Sequence, residues 1–349
     1  MTSKLPLFRP VDPARNVQLH AIALVITEAC NFRCCMCDYW KLENPTAMPV
    51  SMAEALQPLV AAAKPRSITI TGGEPLMHPE WPRIAALYAP IAPVRLCTSG
   101  LLLAKYLEDV DKHVSRLLVS IDGATDETFF AVRGVKNVSR IWKALSAIKD
   151  RNPEVRIDVK MTIQKRNFEE TLAFVELARA AGFVDGVGFG MPDFSLQAFA
   201  LPTAERDDYQ RTVLLENDEL DRFSAIVDEF YSRYSQLVES GYIFEGDLRR
   251  YLQRFQAMSR RQAHPDIRRC SIPNYNMAVY PDGQIRGCFF LQSDYTVDKL
   301  LAAGISGIES VLRGRRGFDS TSVRNCRGCD QLLFNESPYE AAPPALAAS

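Results

Sequence analysis

Between residues 20 and 190, short runs of β-branched and apolar residues alternate six times with stretches in which apolar residues recur at helical spacing. Repeated strand–helix–strand units are typical of a parallel sheet, because a parallel crossover needs a long connection that is usually a helix. The sequence therefore predicts an α/β protein with a parallel sheet, either open or closed into a barrel. The predicted strands are His20–Thr27, Ser67–Thr71, Val94–Thr98, Arg116–Ile121, Val155–Ile163 and Asp185–Gly190.

The chain changes character after Gly190. Residues 191–217 include Pro192, Pro202 and many polar residues, so we expect an irregular segment there. Two stretches with aromatic residues at helical spacing follow, and they predict helices with buried aromatic faces. The helical positions are Phe223, Ile226, Val227, Phe230, Tyr234 and Leu237, then Leu248, Tyr251, Leu252 and Phe255. Further along, Pro281 and Gly283 mark the turn of a hairpin.

Helix starts are also predictable from local spacing. Ser51 with Glu54, and Asn167 with Glu170, have the spacing of a capping box, which predicts a helix start at each serine or asparagine. Pro58 falls inside the first of these helices, so we expect a kink or a late start there.

Composition limits the possible functions. Lys and Arg total 41 against 42 for Asp and Glu, and the net charge of −1 offers no basic field for a nucleic-acid backbone. No apolar run approaches the ~20 residues that cross a bilayer, and no secretory signal pattern is present. We therefore expect a cytoplasmic protein that binds neither nucleic acid nor membrane.

Nine cysteines are unusual in such a chain. Cytosolic thiols stay reduced, so clustered cysteines indicate metal or redox chemistry more than disulfides. Eight of the nine fall into two groups that are far apart in the sequence, which predicts two metal centres. The groups are Cys30, Cys34, Cys35 and Cys37, then Cys270, Cys288, Cys326 and Cys329.

The first group follows the first predicted strand as Cys30-x3-Cys34-x2-Cys37. Three thiolates from one loop can hold three irons of a [4Fe–4S] cluster, which leaves the fourth iron open to a substrate or cofactor. A zinc knuckle is the alternative, but it requires a fourth ligand close by. After Cys37 the next cysteine or histidine is His78.

A second motif, Thr71-Gly72-Gly73-Glu74-Pro75, ends the second predicted strand. Two glycines let a ligand approach the backbone closely, and Glu74 supplies a carboxylate for an ammonium group. Together with the cysteine loop, this turn resembles the radical SAM superfamily. The resemblance covers residues 18–190 and implies a partial (β/α)6 parallel barrel.

In that family the open iron binds the amino and carboxylate groups of S-adenosylmethionine (SAM), and the reduced cluster breaks a C–S bond homolytically. The resemblance also implies an external one-electron reductant of the flavodoxin or ferredoxin type. Arg133 resembles the cation often placed on the SAM carboxylate, although an exposed loop arginine is an equal alternative. Ser99 is a candidate because it follows the end of a strand. The expected SAM-binding residues are Tyr39, Gly72, Gly73, Glu74, Ser99, Ser120 and Arg133.

The late cysteines, Cys270-x12-Gly283-x4-Cys288 followed by Cys326-x2-Cys329, resemble the auxiliary-cluster module called twitch, a shorter relative of the SPASM domain. Four thiolates can close all corners of a second [4Fe–4S] cluster, which suits electron transfer, and a structural zinc site is the alternative. The expected organisation has five parts. They are an N-terminal extension (1–17), the core barrel (18–190), a linker with helices (191–265), a small β-rich auxiliary-cluster domain (266–335) and a disordered tail (336–349).

Cys35 lies inside the cluster loop, where family members mostly carry another residue. It is either an outward-pointing variable residue or a catalytic thiol that holds a thiophilic substrate. The Arg-Cys-Cys-apolar-Cys loop resembles the radical SAM enzymes of arsinothricin biosynthesis, which are taken to transfer the 3-amino-3-carboxypropyl group of SAM to arsenic.

The expected function is a radical SAM enzyme that acts on a small biosynthetic intermediate, with the second cluster for electron transfer. One alternative is aminocarboxypropyl transfer from SAM to trivalent arsenic. A peptide-modifying maturase is another, and with only 29 residues before Cys30 we expect its peptide to need a separate partner. A GTP cyclase is less favoured, because the chain ends in Ala-Ala-Ser rather than Gly-Gly. The last alternative is a non-enzymatic zinc-binding protein.

Overall fold

The structure is a computed structural model, and it describes residues 19–192, 206–245, 247–260, 275–287 and 294–313. Strands in these ranges join into one sheet. They are β1 (Ala21–Thr27), β2 (Ser67–Gly72), β3 (Val94–Thr98), β4 (Arg116–Ser120), β5 (Arg156–Thr162), β6 (Gly186–Gly190), β7 (Ile243–Glu245), β8 (Asn276–Val279), β9 (Gln284–Arg286) and β10 (Tyr295–Thr296).

Helices connect the strands and follow them. They are α1 (Val50–Ala63), α2 (Trp81–Tyr88), α3 (Leu107–His113), α4 (Asp126–Arg133), α5 (Val138–Arg151), α6 (Thr171–Ala181), α7 (Arg206–Val213), α8 (Asp218–Glu239), α9 (Leu248–Ser259), α10 (Val297–Ala303) and α11 (Ile305–Arg313). No helix of the described residues combines the length and the apolar character that crossing a membrane requires.

Strands β1 to β6 pair in parallel and in chain order. Parallel crossovers are right-handed, so sequential order places every connecting helix on the same face of the sheet. The other face is then covered only if the sheet curls, as it does in a barrel. The α/β fold is confirmed as a partial parallel barrel, and each of the six predicted strands is correct to within one residue at either end.

The two faces of the sheet differ in chemistry. Along β5, Ile157 and Val159 are fully buried in the core between sheet and helices, whereas the alternate residues Asp158 and Lys160 face the other side. This period of two is the ordinary strand pattern. The inner face is therefore polar along β5, whereas beside β1 and β8 it carries the apolar cluster of Val25, Ala278 and Tyr280.

Helices α8 and α9 pack their aromatic faces against the β6 side of the barrel, as predicted. Phe189 of β6 meets Phe230 with ring centroids 5.7 Å apart, and Phe223 meets Phe255 at 6.0 Å. All four rings are buried. Between the two helices the three-residue strand β7 pairs with β6, so the sheet extends beyond the six predicted strands.

Strands β8 to β10 extend the sheet at its other edge. β8 pairs in parallel with β1, and β9 runs antiparallel to β8. Gly283 closes the predicted hairpin with φ of +83°, a left-handed conformation that glycine adopts without steric cost. The late cysteines Cys270, Cys288, Cys326 and Cys329 lie outside the described residues.

Three local predictions were wrong. Helix α7 forms within the segment expected to be irregular. Helix α1 begins at Val50 with Pro49 as its N-cap, and it continues through Pro58, so neither a Ser51 cap nor a late start occurs. Asn167 does lie at the N-cap of a 3-10 helix, Phe168–Glu170, that leads directly into α6, but the predicted capping bond is absent. Its side chain instead accepts from the Gln164 amide and donates to the Asp122 carbonyl.

Candidate active site

The cysteine loop follows β1 and is fixed by backbone hydrogen bonds along its length. Near its start, the amide of Glu28 donates to the carbonyl of Thr46 at 2.8 Å. Further on, the amides of Arg33 and Cys35 donate to the carbonyls of Arg133 and Val132, at 3.0 and 2.9 Å. These carbonyls lie in the last turn of α4, where the helix leaves its carbonyls unpaired. The loop therefore takes its shape from the end of α4.

Gly72 and Gly73 pack directly against the first residues of this loop. The amide of Gly73 donates to the carbonyl of Thr27, and the amide of Glu74 donates to the carbonyl of Ala29, both at 2.8 Å. A Cβ atom on Gly73 would lie 2.5 Å from the carbonyl oxygens of Glu28 and Ala29. The glycine pair is thus required by the backbone of the cysteine loop itself, besides any ligand that approaches.

The carboxylate of Glu74 is buried and links two strand ends. It accepts hydrogen bonds from the Thr98 hydroxyl at 2.6 Å, the Ser99 amide at 2.7 Å and the Leu76 amide at 3.2 Å. Burial raises the pKa of Glu74, and these hydrogen bonds lower it. None of the ion pairs among the described residues includes Glu74. A buried carboxylate held by neutral donors suits an ammonium ligand.

The three thiols of the C-x3-C-x2-C motif lie close enough to influence one another. The pKa of Cys30 is raised to about 11, mainly by burial and in smaller part by the charge of Cys34. Burial also raises the pKa of Cys34 and of Cys37. A thiolate is the form that binds metal, so these buried thiols need nearby positive charge to ionise. A bound iron–sulfur cluster would supply that charge, and the donor set fits one.

In the part of the chain that the structure describes, no three His, Cys, Asp or Glu side chains converge on the position of a single metal ion. Cys30, Cys34 and Cys37 are the residues that would hold a [4Fe–4S] cluster.

Arg133 connects the cysteine loop to the end of β4. Its guanidinium forms an ion pair with Asp122, which is fully buried, and donates to the Cys34 sulfur at 3.4 Å. Burial lowers the pKa of Arg133, but the charges of Asp122 and Cys34 outweigh this and raise it. With a side chain only 12% exposed, Arg133 is not an exposed loop arginine. It supplies a permanent positive charge beside the Cys34 sulfur.

Glu170 fixes the helix that carries Arg133. Its carboxylate accepts from the Ala124 amide at 2.6 Å and from the hydroxyls of Thr125 and Thr128 at 2.7 Å. These groups lie at the start of α4, where helix amides lack partners within the helix and a negative charge is favoured. Glu170 therefore anchors one end of α4, while the cysteine loop docks on the other.

We expect Glu170→Gln to lower the free energy of unfolding by about 1–3 kcal/mol, because charge-assisted bonds at the start of α4 are lost. Urea unfolding of the purified protein measures this. The neighbouring Glu169→Gln is the matched control, since Glu169 is 61% exposed and pairs with Arg222 at the surface. Equal effects of the two substitutions would contradict the assigned role of Glu170.

Cys35 points inward, toward the end of β5. Its thiol donates to the Gln164 side-chain oxygen at 3.1 Å, and the Gln164 amide group donates to the Met36 sulfur at 3.6 Å. Gln164 is fully buried, and its own backbone amide donates to Asn167. Burial raises the pKa of Cys35 to about 11. Cys35 is therefore a protonated thiol bonded within the site, not an outward-pointing residue.

The remaining predicted residues lie around the same end of the barrel. Tyr39 begins a short 3-10 helix two residues after Cys37. Burial and the nearby Tyr280 raise its pKa, and Arg286 lowers it. Because β8 pairs with β1, which leads into the cysteine loop, the β8–β9 hairpin lies near that loop. Ser120 ends β4 in register with Lys160 of β5. Ser99 follows β3 and touches Glu74 through its backbone amide.

The structure thus brings the cysteine loop, the Gly72–Glu74 turn, Ser99 and Arg133 into direct contact. The sequence analysis did not identify the polar residues that bond to these groups. Two of them, Asp122 and Gln164, directly follow predicted strands, and barrel sites assemble at strand ends, so this position could have indicated them. The missed residues are Asp122, Gln164, Asn167 and Glu170.

Comparison with known proteins agrees with this geometry. The sequence profile of the radical SAM superfamily matches residues 24–199, just over half of the chain. A GTP 3′,8-cyclase of Chlorobaculum tepidum is 31% identical over 166 residues, 45% of this chain and 49% of the cyclase. An AdoMet-dependent heme synthase of Methanosarcina barkeri is 34% identical over 173 residues, 47% of this chain and 48% of the synthase. The chain spans about half the length of these relatives.

Among solved structures, Streptococcus suis SuiB bound to S-adenosylmethionine resembles this fold with a TM-score of 0.62 at 14% identity. The likeness covers 90% of this chain and 72% of SuiB. At this identity it concerns the fold alone, and it supports the partial barrel.

Proposed function

The chain belongs to the radical SAM superfamily, and from that premise we propose that it binds a [4Fe–4S] cluster on Cys30, Cys34 and Cys37 and cleaves SAM reductively to act on a small-molecule substrate. The observation that carries the proposal is the contact of the cysteine loop with two other segments at one end of the barrel. The cysteine loop touches the Gly72–Glu74 turn on one side and the end of α4 on the other.

Each of these residues has a task in holding SAM. Glu74 carries a buried carboxylate for the ammonium group, fixed by Thr98 and Ser99. Arg133 stays charged beside Cys34, and a guanidinium has five N–H donors, more than its contacts with Asp122 and Cys34 use. Ser120 and Tyr39 would contact the sugar and the base. Burial of these groups excludes water and strengthens their electrostatic interactions.

When bound and reduced, the cluster supplies the electron that breaks a C–S bond of SAM. Radical SAM enzymes receive that electron from an external reductant. The chain's own contribution is orientation. The cysteine loop, the Gly72–Glu74 turn and the end of α4 are bonded to one another, so they would hold the cluster ligands and the SAM-binding groups in fixed positions. Reaction rates depend steeply on such positioning.

We also propose that Cys270, Cys288, Cys326 and Cys329 hold a second [4Fe–4S] cluster for electron transfer. Its support is the spacing of these residues around Gly283, together with the β8–β9 hairpin that lies beside Tyr39.

The related proteins include GTP cyclases and a heme synthase, both of which act on small molecules by name. A small substrate is therefore the favoured class for this chain.

The test is anaerobic reconstitution followed by assay of SAM cleavage. We expect wild-type protein to form 5′-deoxyadenosine with a strong reductant, and Glu74→Gln to raise the KM for SAM by about 10- to 100-fold, because a charge-assisted bond is lost. Glu54→Gln is the control, since Glu54 is an exposed carboxylate on α1. An unchanged KM in Glu74→Gln would contradict the role given to Glu74.

A second candidate function rests on Cys35. Its thiol donates to the side-chain oxygen of Gln164, whose amide nitrogen donates to the Met36 sulfur, so one buried amide contacts two soft sulfur atoms. Such groups suit a thiophilic atom such as trivalent arsenic. In this candidate Cys35 holds the acceptor, and the 3-amino-3-carboxypropyl group of SAM is transferred to it.

We expect Cys35→Ser to leave cluster assembly and SAM cleavage nearly intact under either function. If the second candidate is right, wild-type protein with arsenite forms 5′-methylthioadenosine in step with an arsenic–carbon product, and Cys35→Ser loses that product. Chromatography of the nucleoside products measures both. Formation of 5′-deoxyadenosine alone in the presence of arsenite would remove this candidate.

A further inference from the structure

The inner face of the barrel carries a row of arginines. Residues that are in register on neighbouring strands lie on the same face of a sheet. Arg95, Arg116 and Arg156 are in register on β3, β4 and β5. From Arg95 the same row continues across β2, β1, β8 and β9 through Thr69, Ala23, Ala278 and Arg286. We define the arginine row as Arg95, Arg116, Arg156 and Arg286.

Burial of the flanking residues shows on which face the arginine row lies. A fully buried residue of the core between sheet and helices stands next to each arginine along its strand. Side chains alternate between the two faces of a strand, so the arginines face the lumen that the curled sheet encloses. The flanking residues are Leu96, Leu117, Ile157 and Ile285.

One carboxylate lies among these arginines. Asp158 of β5 is fully buried and forms ion pairs with Arg116 and, at 3.0 Å, with Arg156. Each guanidinium has five N–H donors, so two of them carry more donors than one carboxylate accepts. Asp158 therefore holds two guanidiniums in the lumen and leaves donors for a ligand.

Other charges near the arginine row cancel. Asp185, which directly precedes β6, forms a 2.8 Å ion pair with Lys149. Lys160 of β5 and Glu245 of β7 are both in register with Gly188, and their charges are opposite. No acidic residue other than Asp158 and Glu245 occurs within the strands that the structure describes. Four arginines therefore stand against one carboxylate, and the row is positively charged.

Arg286, at the other end of the row, has an unpaired donor. Its guanidinium lies 3.9 Å from the centre of the Tyr280 ring, and its buried Nε has no hydrogen-bond partner among the described residues. A buried N–H group without an acceptor costs free energy, and a bound ion is one explanation of such a group. An oxyanion in the lumen would supply the acceptor.

Small residues lie between the two ends of the arginine row. Thr69, Ala23 and Ala278 project little into the lumen, and Ala23 packs against the apolar cluster of Val25, Ala278 and Tyr280. A ligand that reaches the arginines therefore also meets an apolar wall. These two walls suit a molecule that has both an anionic group and an apolar part.

The arginine row lies deeper in the barrel than the proposed SAM site. Arg95 precedes the end of β3 by three residues, and Arg116 precedes the end of β4 by four. At about 3.3 Å per residue, the row is about 10–13 Å from the carboxyl ends of the strands. Glu74 and the Asp122–Arg133 pair lie at those ends. A substrate that spans both places must be elongated.

We propose that the arginine row binds the anionic end of an elongated substrate, a carboxylate or a phosphate, whose other end reaches the proposed SAM site. The proposal rests on the proposed function, because it names the substrate class of that same site. Arg116 and Arg156 are held in place by Asp158, and Arg95 and Arg286 face the ligand from the two ends of the small-residue stretch.

The test is isothermal titration of the reconstituted holoenzyme with inorganic phosphate and with succinate, at a pH where both are dianions. SAM is present throughout, so that its own site is occupied. We expect the wild-type holoenzyme to bind one of the two probes. Tighter binding of phosphate assigns a phosphate to the substrate, and tighter binding of succinate assigns a carboxylate.

Two variants then test the row, Arg286→Gln and Arg95→Gln. We expect each to raise the Kd of the bound probe by about tenfold or more, because a charge-assisted hydrogen bond is lost. Both leave the Asp158 ion pairs in place, and iron content shows that the variants are folded. The matched control is Arg83→Gln, since Arg83 is exposed on α2 and pairs with Glu54 and Glu80 at the surface.

Four results would overturn the proposal. They are no binding of either probe to wild-type holoenzyme, an equal loss in Arg83→Gln, no loss in Arg286→Gln and Arg95→Gln, and a loss of SAM affinity in these variants as large as the loss of probe affinity. Failure of the proposed function is a different observation, because wild-type protein would then show neither cluster absorbance nor SAM cleavage.

Discussion

We expect Cys34→Ala to lose the core cluster and, with it, all reductive SAM cleavage. This is the largest effect that we expect of any single substitution in this chain. Cys34 would hold one iron of a cluster that has only three protein ligands, so no other thiolate replaces it. Its loss also removes the sulfur that Arg133 contacts at 3.4 Å and leaves that buried guanidinium paired with Asp122 alone. Cys30→Ala and Cys37→Ala are expected to behave in the same way.

Iron content and 5′-deoxyadenosine formation measure this expectation together. Cys35→Ser is the matched control, because it changes the adjacent thiol of the same loop, and that thiol bonds to Gln164 rather than to the other cysteines. We expect Cys35→Ser to keep its iron and to cleave SAM. Turnover that persists in Cys34→Ala with unchanged iron would rule out the ligand set.

The barrel strands were predictable because each strand pattern is local. Ile157, Val159 and Met161 alternate with polar residues along β5, and burial follows the same period of two along β2 and β3. Side-chain burial on one face fixes the register, so the pattern carries most of the information. Strand β7 has three residues, too few for a period of two to appear above the helices that flank it.

Helix starts were less predictable, because competing partners decide them. Ser51 has the spacing of a capping residue, but Pro49 lies at the N-cap and its fixed φ already suits the start of a helix. Asn167 has similar spacing, yet its side chain bonds to the Gln164 amide and to the carbonyls of Asp122 and Thr162. Only the tertiary structure brings those partners within reach.

The same limit applies to the candidate site. The cysteine spacing and the Gly72–Glu74 turn are visible as local motifs, whereas the pairing of Asp122 with Arg133 depends on how α4 packs. Glu170 lies 46 residues from the Ala124 amide that it binds. Contacts at such separation leave no spacing pattern in a single sequence.

Gly72 and Gly73 have a structural role besides the one that the sequence predicts. The sequence indicates that they let a ligand approach the backbone closely. In the structure, a Cβ on Gly72 would meet the Thr27 carbonyl, and one on Gly73 would meet the carbonyls of Glu28 and Ala29. The glycines therefore bring the Gly72–Glu74 turn and the cysteine loop together, and a substitution there tests that contact directly.

Gly73→Ala is expected to lower SAM cleavage by about 100-fold, since misplacement of reacting groups by about an ångström has effects of that size. The added Cβ would lie 2.5 Å from two carbonyl oxygens and 2.9 Å from the Ala29 carbonyl carbon. All three atoms are backbone, so no side-chain rotation relieves the contact. The loop must move, and the Gly73–Thr27 and Glu74–Ala29 hydrogen bonds lengthen or break. Overpacking of this kind also lowers the free energy of unfolding by about 1–3 kcal/mol.

Gly182→Ala is the matched control for this substitution. Gly182 has a φ of +73°, and no atom lies within 4 Å of the position that an alanine Cβ would take, so alanine there meets backbone strain of about 1–2 kcal/mol without a steric contact. The two variants are therefore similarly destabilised, but only Gly73→Ala displaces the cysteine loop. We expect Gly182→Ala to keep wild-type SAM cleavage per iron at a temperature where both variants are folded. Equal activity of the two variants would show that the contact between turn and loop does not position the reacting groups.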